Sequence, residues 1–531
     1  MSINDSSRRL AELSPEKLML LSGRLKSKRS ESMQPIAPRS TTLPYVPLSC
    51  AQERLWFLDQ LIPGATIYNM PIRFRFREAL DITAMQRSLN EIVRRHEAIR
   101  TTFTILDNKP VQVVNAPYDL PLGVEDLSHL PLKDRDRRVA ELISTEEQEP
   151  FDLNNGPLIR VKVIRLEEQD HVILLSMHHI ISDQWSMGIL ERELETLYTT
   201  YRAGLESPLE ELRIQYGDYA IWQKAWLNSA ESRSQMDYWR LQLEGLKSLE
   251  LQTDWVRPAN WNYRGRVHSF QLGEGLSSGL RDLGRQQGVT MYMLLLATFK
   301  AFLARYSGQD DIGVGTPIAN RSRPEVKDLI GFFVNTLVLR TSLAGDPTFR
   351  QLVERVKAVT LEAYAHHEFP FDKLVEDLAP ERSPSRNPLA SMMFTFESLD
   401  GKGRRDASEN LSPADFEIGT TRFDLEFNLY DDGRQLIGRV IYGSDLFSEQ
   451  TIRRMVDNYQ VFANAIVKCP DLPISFLEML TQAERSECLI DWNATKSEYP
   501  NDKGIHELFE QQAERRSDSI ALASDSSAIT Y

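Results

Sequence analysis

Residues 171–204 have the sequence HVILLSMHHIISDQWSMGILERELETLYTTYRAG, and this stretch decides how the surrounding chain folds. The apolar run at 171–177 has the length of a buried β-strand, and the apolar residues after Ser186 recur at the spacing of an amphipathic helix. Residues 178–185 must therefore make the turn between strand and helix. With the strands and helices that alternate on either side of it, the segment indicates a mixed α/β fold.

Two adjacent histidines, His178 and His179, stand where the strand ends. Successive side chains of a strand point to opposite faces, so only one of the two imidazoles can face a given cleft. Asp183 is placed to cap the following helix or to pair with a cation, and a packed core histidine beside a capping aspartate is one interpretation. The other is chemical, because a neutral imidazole can accept a proton or a hydrogen bond from an attacking nucleophile.

Composition excludes several classes of protein. The 531 residues contain 62 lysines plus arginines and 76 aspartates plus glutamates, and the formal charge of −14 argues against a sequence-independent nucleic-acid binder. No window approaches the ~18 consecutive apolar residues of a membrane span, and the N-terminus lacks a signal-peptide pattern. The three cysteines, Cys50, Cys469 and Cys488, are far apart. We expect a soluble, cytoplasmic protein without a metal site.

The pattern along the chain predicts a division into segments. These are an N-terminal helix with a proline-rich linker (1–46), two α/β lobes (47–225 and 226–485), and a final helix and hairpin too small to bury a core alone (486–531). Within the second lobe, the apolar spacing predicts helices at 290–308 and at about 348–366, and a strand at 332–340.

Seven different short motifs, one of which contains the histidine pair, follow one another along the chain. HHIISD (178–183) is the third, and the others are LSCAQERLW (48–56), RHEAIRTTF (95–103), YGDYAIW (216–222), IGFFVNT (330–336), HEFPFD (367–372) and RSPSRNPL (382–389). With these strings in this order, the chain resembles the condensation domains of nonribosomal peptide synthetases, relatives of chloramphenicol acetyltransferase whose hallmark is HHxxxDG. Gln184 stands where the family usually has glycine. The resemblance covers nearly the whole chain up to about residue 480.

The resemblance implies two chloramphenicol-acetyltransferase-like lobes in a V-shaped pseudo-dimer, with an active-site tunnel between them. It implies an acyltransferase that forms an amide when the amine on a downstream carrier protein attacks a thioester on an upstream carrier. Substrates would arrive on phosphopantetheine arms, so no permanently bound cofactor is expected, and alignment of the two would supply much of the catalysis. The expected partners are both peptidyl carrier proteins and an adenylation domain, whose first residues the segment 486–531 resembles. Two lobes in one chain favour a monomer.

The resemblance also implies roles for individual residues. His179 is expected to be the catalytic histidine, acting either as the base or as a hydrogen-bond partner that positions the amine. Asp183 is expected to be structural, with Arg321 of the other lobe as its partner, and His178 is expected to pack away from the tunnel. The remaining candidates are Asn335, which could face the tunnel, Gln184, which could narrow it or donate from its amide, and the adjoining Trp185 and Ser186 as supporting residues.

Alternatives remain open from the sequence. The chain lacks the paired aspartates that replace the histidines in heterocyclising relatives, and the string at 49–61 resembles domains that join two L-residues. If Met1 is the natural start, the donor must arrive in trans. A starter domain that N-acylates the first amino acid with a fatty acyl group from coenzyme A is then the alternative. A hypothesis of another class is a non-catalytic scaffold that only recruits carriers.

Overall fold

The computed structural model describes residues 35–40, 45–259, 261–378, 387, 389–399, 419–498 and 501–531. Residues 1–34 of the segment predicted as an N-terminal helix and linker therefore lie outside the described residues, as does most of the motif at 382–389. The chain divides into two compact units, Met1–Met479 and Leu480–Tyr531. The larger unit contains the first predicted lobe and all of the second except residues 480–485.

The first half of the larger unit forms the N-terminal lobe. Its elements are β1 (Val46–Pro47), α1 (Cys50–Leu61), β2 (Asn69–Phe76), α2 (Ile82–Arg95), β3 (Thr101–Leu106), β4 (Lys109–Val114), β5 (Leu122–Asp126), α3 (Leu132–Gln148), β6 (Ile159–Glu167), β7 (Asp170–His178) and α4 (Gln184–Arg202). Four strands pair in the order β2-β7-β6-β5, and β1, β4 and β3 form a smaller sheet. The strand β7 lies between β2 and β6 and is buried along nearly all its length, which explains its continuous apolar sequence.

The second half of the larger unit forms the C-terminal lobe. Its elements are α5 (Tyr216–Trp226), α6 (Ala230–Leu243), β8 (Gly265–Gln271), α7 (Gly273–Gln287), α8 (Met291–Ser307), β9 (Asp311–Ile318), β10 (Asn335–Ser342), α9 (Phe349–Ala365), α10 (Phe371–Leu378), β11 (Met392–Ser398), β12 (Leu425–Asp431), β13 (Leu436–Gly443) and α11 (Glu449–Lys468), with α5 leading in from the N-terminal lobe. Six strands pair in the order β10-β9-β11-β12-β13-β8. The helix α8 is buried in the core of this lobe over most of its length. The helices predicted at 290–308 and 348–366 are confirmed as α8 and α9.

The long loop between β9 and β10 joins the two lobes. Among the described strands, no sheet contains strands of both lobes. Ile330 and Phe332 of this loop nevertheless pack into the apolar core of the N-terminal lobe. The strand predicted at 332–340 was therefore wrong at its start: β10 begins only at Asn335, because residues 332–334 leave the sheet to pack between the lobes.

The smaller unit contains α12 (Gln482–Ser486), α13 (Ile505–Arg515), β14 (Ile520–Ala523) and β15 (Ala528–Thr530). The two strands pair as an antiparallel hairpin, as the sequence pattern indicates. Within the described residues of the whole chain, no single helix has the length and apolar character needed to cross a membrane. The bent pair α7 and α8, which meet at 108°, passes that test of length and composition only when taken together.

Candidate active site

The histidine pair stands at the point where β7 stops. His178 is the last residue of β7, and its N–H donates to the carbonyl of Leu158 at 3.0 Å. His179 begins a single turn of 3-10 helix, and its N–H donates to the carbonyl of Tyr68 at 2.8 Å. Neighbouring segments of the N-terminal lobe therefore fix the backbone of both histidines. Their side chains have different surroundings.

His178 is a packed core histidine. Its side chain is buried, and its Nδ1 accepts the N–H of Ile180 at 3.1 Å. The ring lies 6.2 Å from the ring of Tyr68 and 6.1 Å from that of Phe151, measured between centroids. Burial, with a smaller effect of His179, lowers the pKa of His178 to about 3. His178 is therefore neutral, and its surroundings fit the packing role expected from the sequence.

His179 has a defined tautomer. Its Nδ1 lies 2.7 Å from the carbonyl oxygen of Ser182. A carbonyl can only accept a hydrogen bond, so Nδ1 carries the proton and Nε2 keeps its lone pair. No other described residue bonds to Nε2, and the ring packs against Phe332 of the C-terminal lobe at a centroid distance of 4.7 Å. The turn therefore offers one free imidazole nitrogen between the lobes.

The environment of His179 favours the uncharged ring. Burial has the largest effect, the positive charge of Arg422 adds to it, and together they lower the pKa of His179 to about 4. The carbonyl of Ser182 and the charge of Asp183 act in the opposite direction and are outweighed. At neutral pH the imidazole is therefore a hydrogen-bond acceptor with an available lone pair.

Asp183 closes the turn and begins the next helix. It is the N-cap of α4, and its side chain is fully buried. Its Oδ1 accepts the N–H of Ser186 at 2.8 Å and Nη2–H of Arg321 at 3.0 Å, while its Oδ2 accepts the N–H of Phe333 at 3.0 Å. Both carboxylate oxygens are thus satisfied, partly by the other lobe, as a buried charge requires.

Arg321 ties the loop between β9 and β10 into a compact shape. Its Nη1 donates to the carbonyls of Val326 at 2.8 Å and Leu329 at 2.6 Å, and its Nη2 makes the bond to Asp183. The guanidinium carbon lies 4.1 Å from the centre of the Phe333 ring. The structure therefore contains the pair of Asp183 and Arg321, and this pair joins the turn that carries His179 in one lobe to a loop of the other.

Ser186 and Trp185 extend the same connection. The Oγ of Ser186 accepts the N–H of Gly331 at 3.1 Å and Nη2–H of Arg321 at 2.7 Å. The indole N–H of Trp185 donates to the carbonyl of Lys327 at 3.0 Å. Both residues of the first turn of α4 thus bind the loop of the C-terminal lobe, and they bring no additional reactive group to His179.

Gln184 lies differently from what the sequence led us to expect. It is the exposed first residue of α4, and its side chain makes no hydrogen bond to another described residue. It is also absent from the described residues with positive φ, so this position does not need the conformational freedom of glycine. The expectation that its side chain could narrow a tunnel is corrected, because the side chain is open to solvent.

We expect Gln184→Gly to change turnover by less than about twofold, because the side chain contacts no group of the site. The variant should lose less than about 0.5 kcal/mol of stability, since the position is the first of the helix and the full cost of glycine applies to helix interiors. Gly188→Ala is a matched control in the same helix, where a new Cβ meets open space and should stabilise. Thermal unfolding and turnover of both variants check this, and a large loss of turnover in Gln184→Gly would contradict it.

Asn335 is a structural residue of the C-terminal lobe. Its Nδ2 donates to the carbonyls of His367 at 2.9 Å and Phe369 at 2.8 Å, and its Oδ1 accepts the N–H of Phe371 at 2.9 Å. The side chain is buried and both ends of its amide are occupied by the loop before α10. The expectation that Asn335 could face a tunnel is therefore corrected, because its buried amide is occupied within the C-terminal lobe at the start of β10.

Two further contacts of the loop between β9 and β10 were not recognised from the sequence. The hydroxyl of Tyr216 donates to the carbonyl of Phe332 at 2.6 Å. His96 places Nε2 2.8 Å from the carboxylate of Glu193, and its Nδ1 accepts the N–H of Ile330 at 3.4 Å. Both Tyr216 and His96 lie in the sequence motifs described above, but a sequence does not show which backbone group a side chain will meet across a fold.

Metal-ligating side chains do not gather in the part of the chain that the structure describes. No group of three or more histidine, cysteine, aspartate or glutamate side chains there is arranged to hold a metal ion. The carboxylate oxygens of Asp183 are occupied, and the Nδ1 atom of each site histidine bonds to the backbone. The side-chain nitrogen left without a described partner at the turn is therefore Nε2 of His179.

Comparisons with known proteins identify the family of the chain. The family model described as condensation domain matches residues 44–489. Chondramide synthase cmdD of Chondromyces crocatus is 40% identical over 489 residues, which are 92% of this chain and 12% of that protein. Malpibaldin synthetase of Mortierella alpina is 39% identical over 498 residues, which are 93% of this chain and 9% of that protein. The chain thus spans only a small part of these curated relatives.

Among solved structures, the X-domain from teicoplanin biosynthesis has a TM-score of 0.75 and 27% sequence identity to this chain. The match covers 84% of this chain and 100% of that one. Since the likeness extends over both lobes, it confirms the two-lobe α/β fold that the sequence motifs predict. The site built around His179 is therefore held by a fold shared with a domain of teicoplanin biosynthesis.

Proposed function

This chain belongs to the condensation-domain family, and from that premise we propose that it catalyses amide bond formation. The acceptor is an amine and the donor is an acyl or peptidyl thioester, both delivered on phosphopantetheine arms of carrier proteins. The observation that carries the proposal is the neutral His179, whose proton is held on Nδ1 by Ser182 and whose Nε2 is free. This is the state of a histidine that can accept a proton from a nucleophile.

The low pKa of His179 indicates when the proton moves. An imidazole with a pKa of about 4 is a weak base, so it does not remove a proton from a free ammonium ion. After the neutral amine attacks the thioester carbon, the nitrogen carries a positive charge and its proton becomes strongly acidic. Nε2 of His179 takes that proton, the carbon–sulfur bond breaks, and the imidazolium returns the proton to the leaving thiolate.

Asp183 and Arg321 support this role without touching the reactants. Their ion pair is buried, and it fixes the turn that ends at Asp183 against the loop of the C-terminal lobe. Phe332 of that loop packs on the ring of His179 at 4.7 Å. The pair therefore keeps the imidazole in one orientation between the lobes, and accurate orientation of a reacting group contributes several kcal/mol to catalysis.

Reconstitution tests the proposal directly. The full chain is mixed with an aminoacyl-loaded acceptor carrier and with either an acyl-loaded donor carrier or a panel of acyl-coenzyme A thioesters, and the acceptor arm is analysed by mass spectrometry. Amide formed from the carrier-bound donor supports the proposal. Product from coenzyme A thioesters alone would identify a starter-type domain instead. No amide from any donor, with loading of both carriers verified, would contradict catalysis and favour a scaffold.

We expect the acidic limb of the pH–rate profile to follow the acceptor amine and not the histidine. The pKa of His179 is lowered to about 4, so the ring stays neutral as the pH falls through 6.5. An α-amino group has an ordinary pKa of about 7.7–8.0, and its protonation removes the nucleophile. The kcat/KM profiles of three acceptors with different amine pKa values should therefore move with the acceptor. A limb fixed near pH 6.5 for all three would contradict this.

A further inference from the structure

Arg422, on the C-terminal lobe, carries a positive charge that acts on the ring of His179. It lies in the loop that precedes β12 of the C-terminal lobe and is partly buried. Its guanidinium carbon is 5.4 Å from the centre of the Tyr68 ring. The carbonyl of Tyr68 in turn accepts the backbone N–H of His179 at 2.8 Å. A cation of the C-terminal lobe thus stands next to the segment that fixes the histidine of the N-terminal lobe.

The loop that carries Arg422 is held rigidly on both sides. The N–H of Thr421 donates to the carbonyl of Tyr263 at 2.8 Å, and the N–H of Asp424 donates to that of Ser391 at 3.0 Å. The carboxylate of Asp424 is bound by both terminal nitrogens of Arg257, one of them at 2.8 Å. These bonds fix the backbone around Arg422 before any substrate binds, which makes its charge preorganised.

The charge of Arg422 has no anionic partner among the residues that the structure describes. Its side chain makes no ion pair or hydrogen bond with any of them. Arg54, whose charge also acts near Tyr68, differs because it pairs with Asp372 at 3.5 Å. A guanidinium held at a reaction centre without a carboxylate is free to interact with negative charge that a substrate brings.

The groups that face His179 leave Arg422 as the available cation. The charged side chains that act on the pKa of its ring are Arg422 and Asp183, and His178 precedes it in the chain. Asp183 is already bound by Arg321, and His178 is neutral and packed. During amide formation the electron pair of the carbonyl bond moves onto oxygen as the carbon–nitrogen bond forms. The oxyanion is then the negative charge at the centre that still needs a partner.

We propose that Arg422 is a catalytic residue that faces the reacting carbonyl and stabilises the oxyanion of the tetrahedral intermediate. The proposal rests on the proposed function. In this step the amine forms the carbon–nitrogen bond, Nε2 of His179 takes the proton of the nitrogen, and collapse of the oxyanion breaks the carbon–sulfur bond. The thiolate leaves with the proton returned by His179. The two lobes then contribute one group each, the acceptor of the proton and the partner of the oxyanion.

The test compares Arg422→Gln, Arg422→Lys and the matched control Arg264→Gln in the full chain. Arg264 is an exposed arginine that bridges to Thr420 in the same loop, and its charge is not among those that lower the pKa of His179, so its loss removes an equal charge without the one that acts on the histidine. With both carriers loaded, Arg422→Gln should lower kcat by about 10²–10³-fold with little change in KM, as for loss of one oxyanion donor. Arg422→Lys should recover part of this loss, and Arg264→Gln should stay within about twofold.

A second measurement does not depend on turnover. In histidine-labelled protein, NMR titration should show the pKa of His179 rising in Arg422→Gln and unchanged in Arg264→Gln. An unchanged pKa in Arg422→Gln would overturn the placement of Arg422, even if the wild-type chain formed no amide and the proposed function had failed. With an active wild type, an unaltered kcat in Arg422→Gln, or an increase in KM alone, would overturn the catalytic role. Thermal unfolding identifies any variant that fails to fold.

Discussion

His179→Ala will remove most of the amide-forming activity, by about 10²–10⁴-fold in kcat, while the protein stays folded. The size is that of a missing general base or acid, and it affects kcat because proton transfer occurs in the reaction step. The fold should survive because the side chain makes one hydrogen bond, to the carbonyl of Ser182, and is only partly buried. Single-turnover assays with loaded carriers, together with circular dichroism and thermal unfolding, measure both effects.

His268→Ala is a suitable control, because it removes a partly buried histidine from β8 in the other lobe. It should keep turnover within about twofold of the wild type. If His179→Ala retained wild-type turnover, alignment of the substrates alone would account for the reaction and the imidazole would have no chemical role. If both variants lost turnover equally, the effect would report general damage to the fold.

Asp183→Ala will lower the free energy of unfolding by about 3–5 kcal/mol. The aspartate and Arg321 are both buried, and removal of one partner leaves the other charge without compensation in the interior. The same substitution leaves the N–H groups of Ser186 and Phe333 without their acceptors. Denaturant unfolding measures the loss, and turnover should fall with it because the turn that holds His179 loses its anchor.

Asp328→Ala provides the matched control for this prediction. Asp328 also forms an ion pair across the lobes, with Arg192 at 3.3 Å, but both side chains are largely exposed. Its loss should cost less than about 1 kcal/mol. The double variant Asp183→Ala, Arg321→Ala should be less destabilised than the sum of the single variants, because each single change strands one charge. Additive losses would show that the two residues are not coupled.

The core of the fold could be predicted from the sequence because burial leaves a direct pattern. The run at 171–177 is mostly apolar since β7 is covered on both faces, and the helices α8 and α9 were recognisable from their apolar spacing. The apolar string at 332–334 looks equally like a strand. It is not one, because Phe333 donates its N–H to the carboxylate of Asp183 in place of a strand partner. Such competition between distant residues leaves no local signature.

The residues of the site could be predicted where they belong to a local motif, but their contacts across the fold could not. The sequence motif placed His179 and Asp183 on one turn, and the family resemblance suggested Arg321, which the structure brings to Asp183. The tautomer of His179 could not be predicted, because it depends on the direction of one carbonyl group. Arg422 was not recognised either, since its position beside Tyr68 results from the packing of two lobes that are far apart in the sequence.

Hydrogen exchange in the loop between β9 and β10 would measure how often the lobes separate. The amide protons of Gly331 and Phe333 are bonded to Ser186 and Asp183, side chains of the opposite lobe, and not to a neighbouring strand. Their exchange with deuterium therefore requires the two lobes to part locally, so these loop amides should be as protected as those of a sheet. Their exchange rates would then report how often the domain opens, and how much a docked carrier slows that opening.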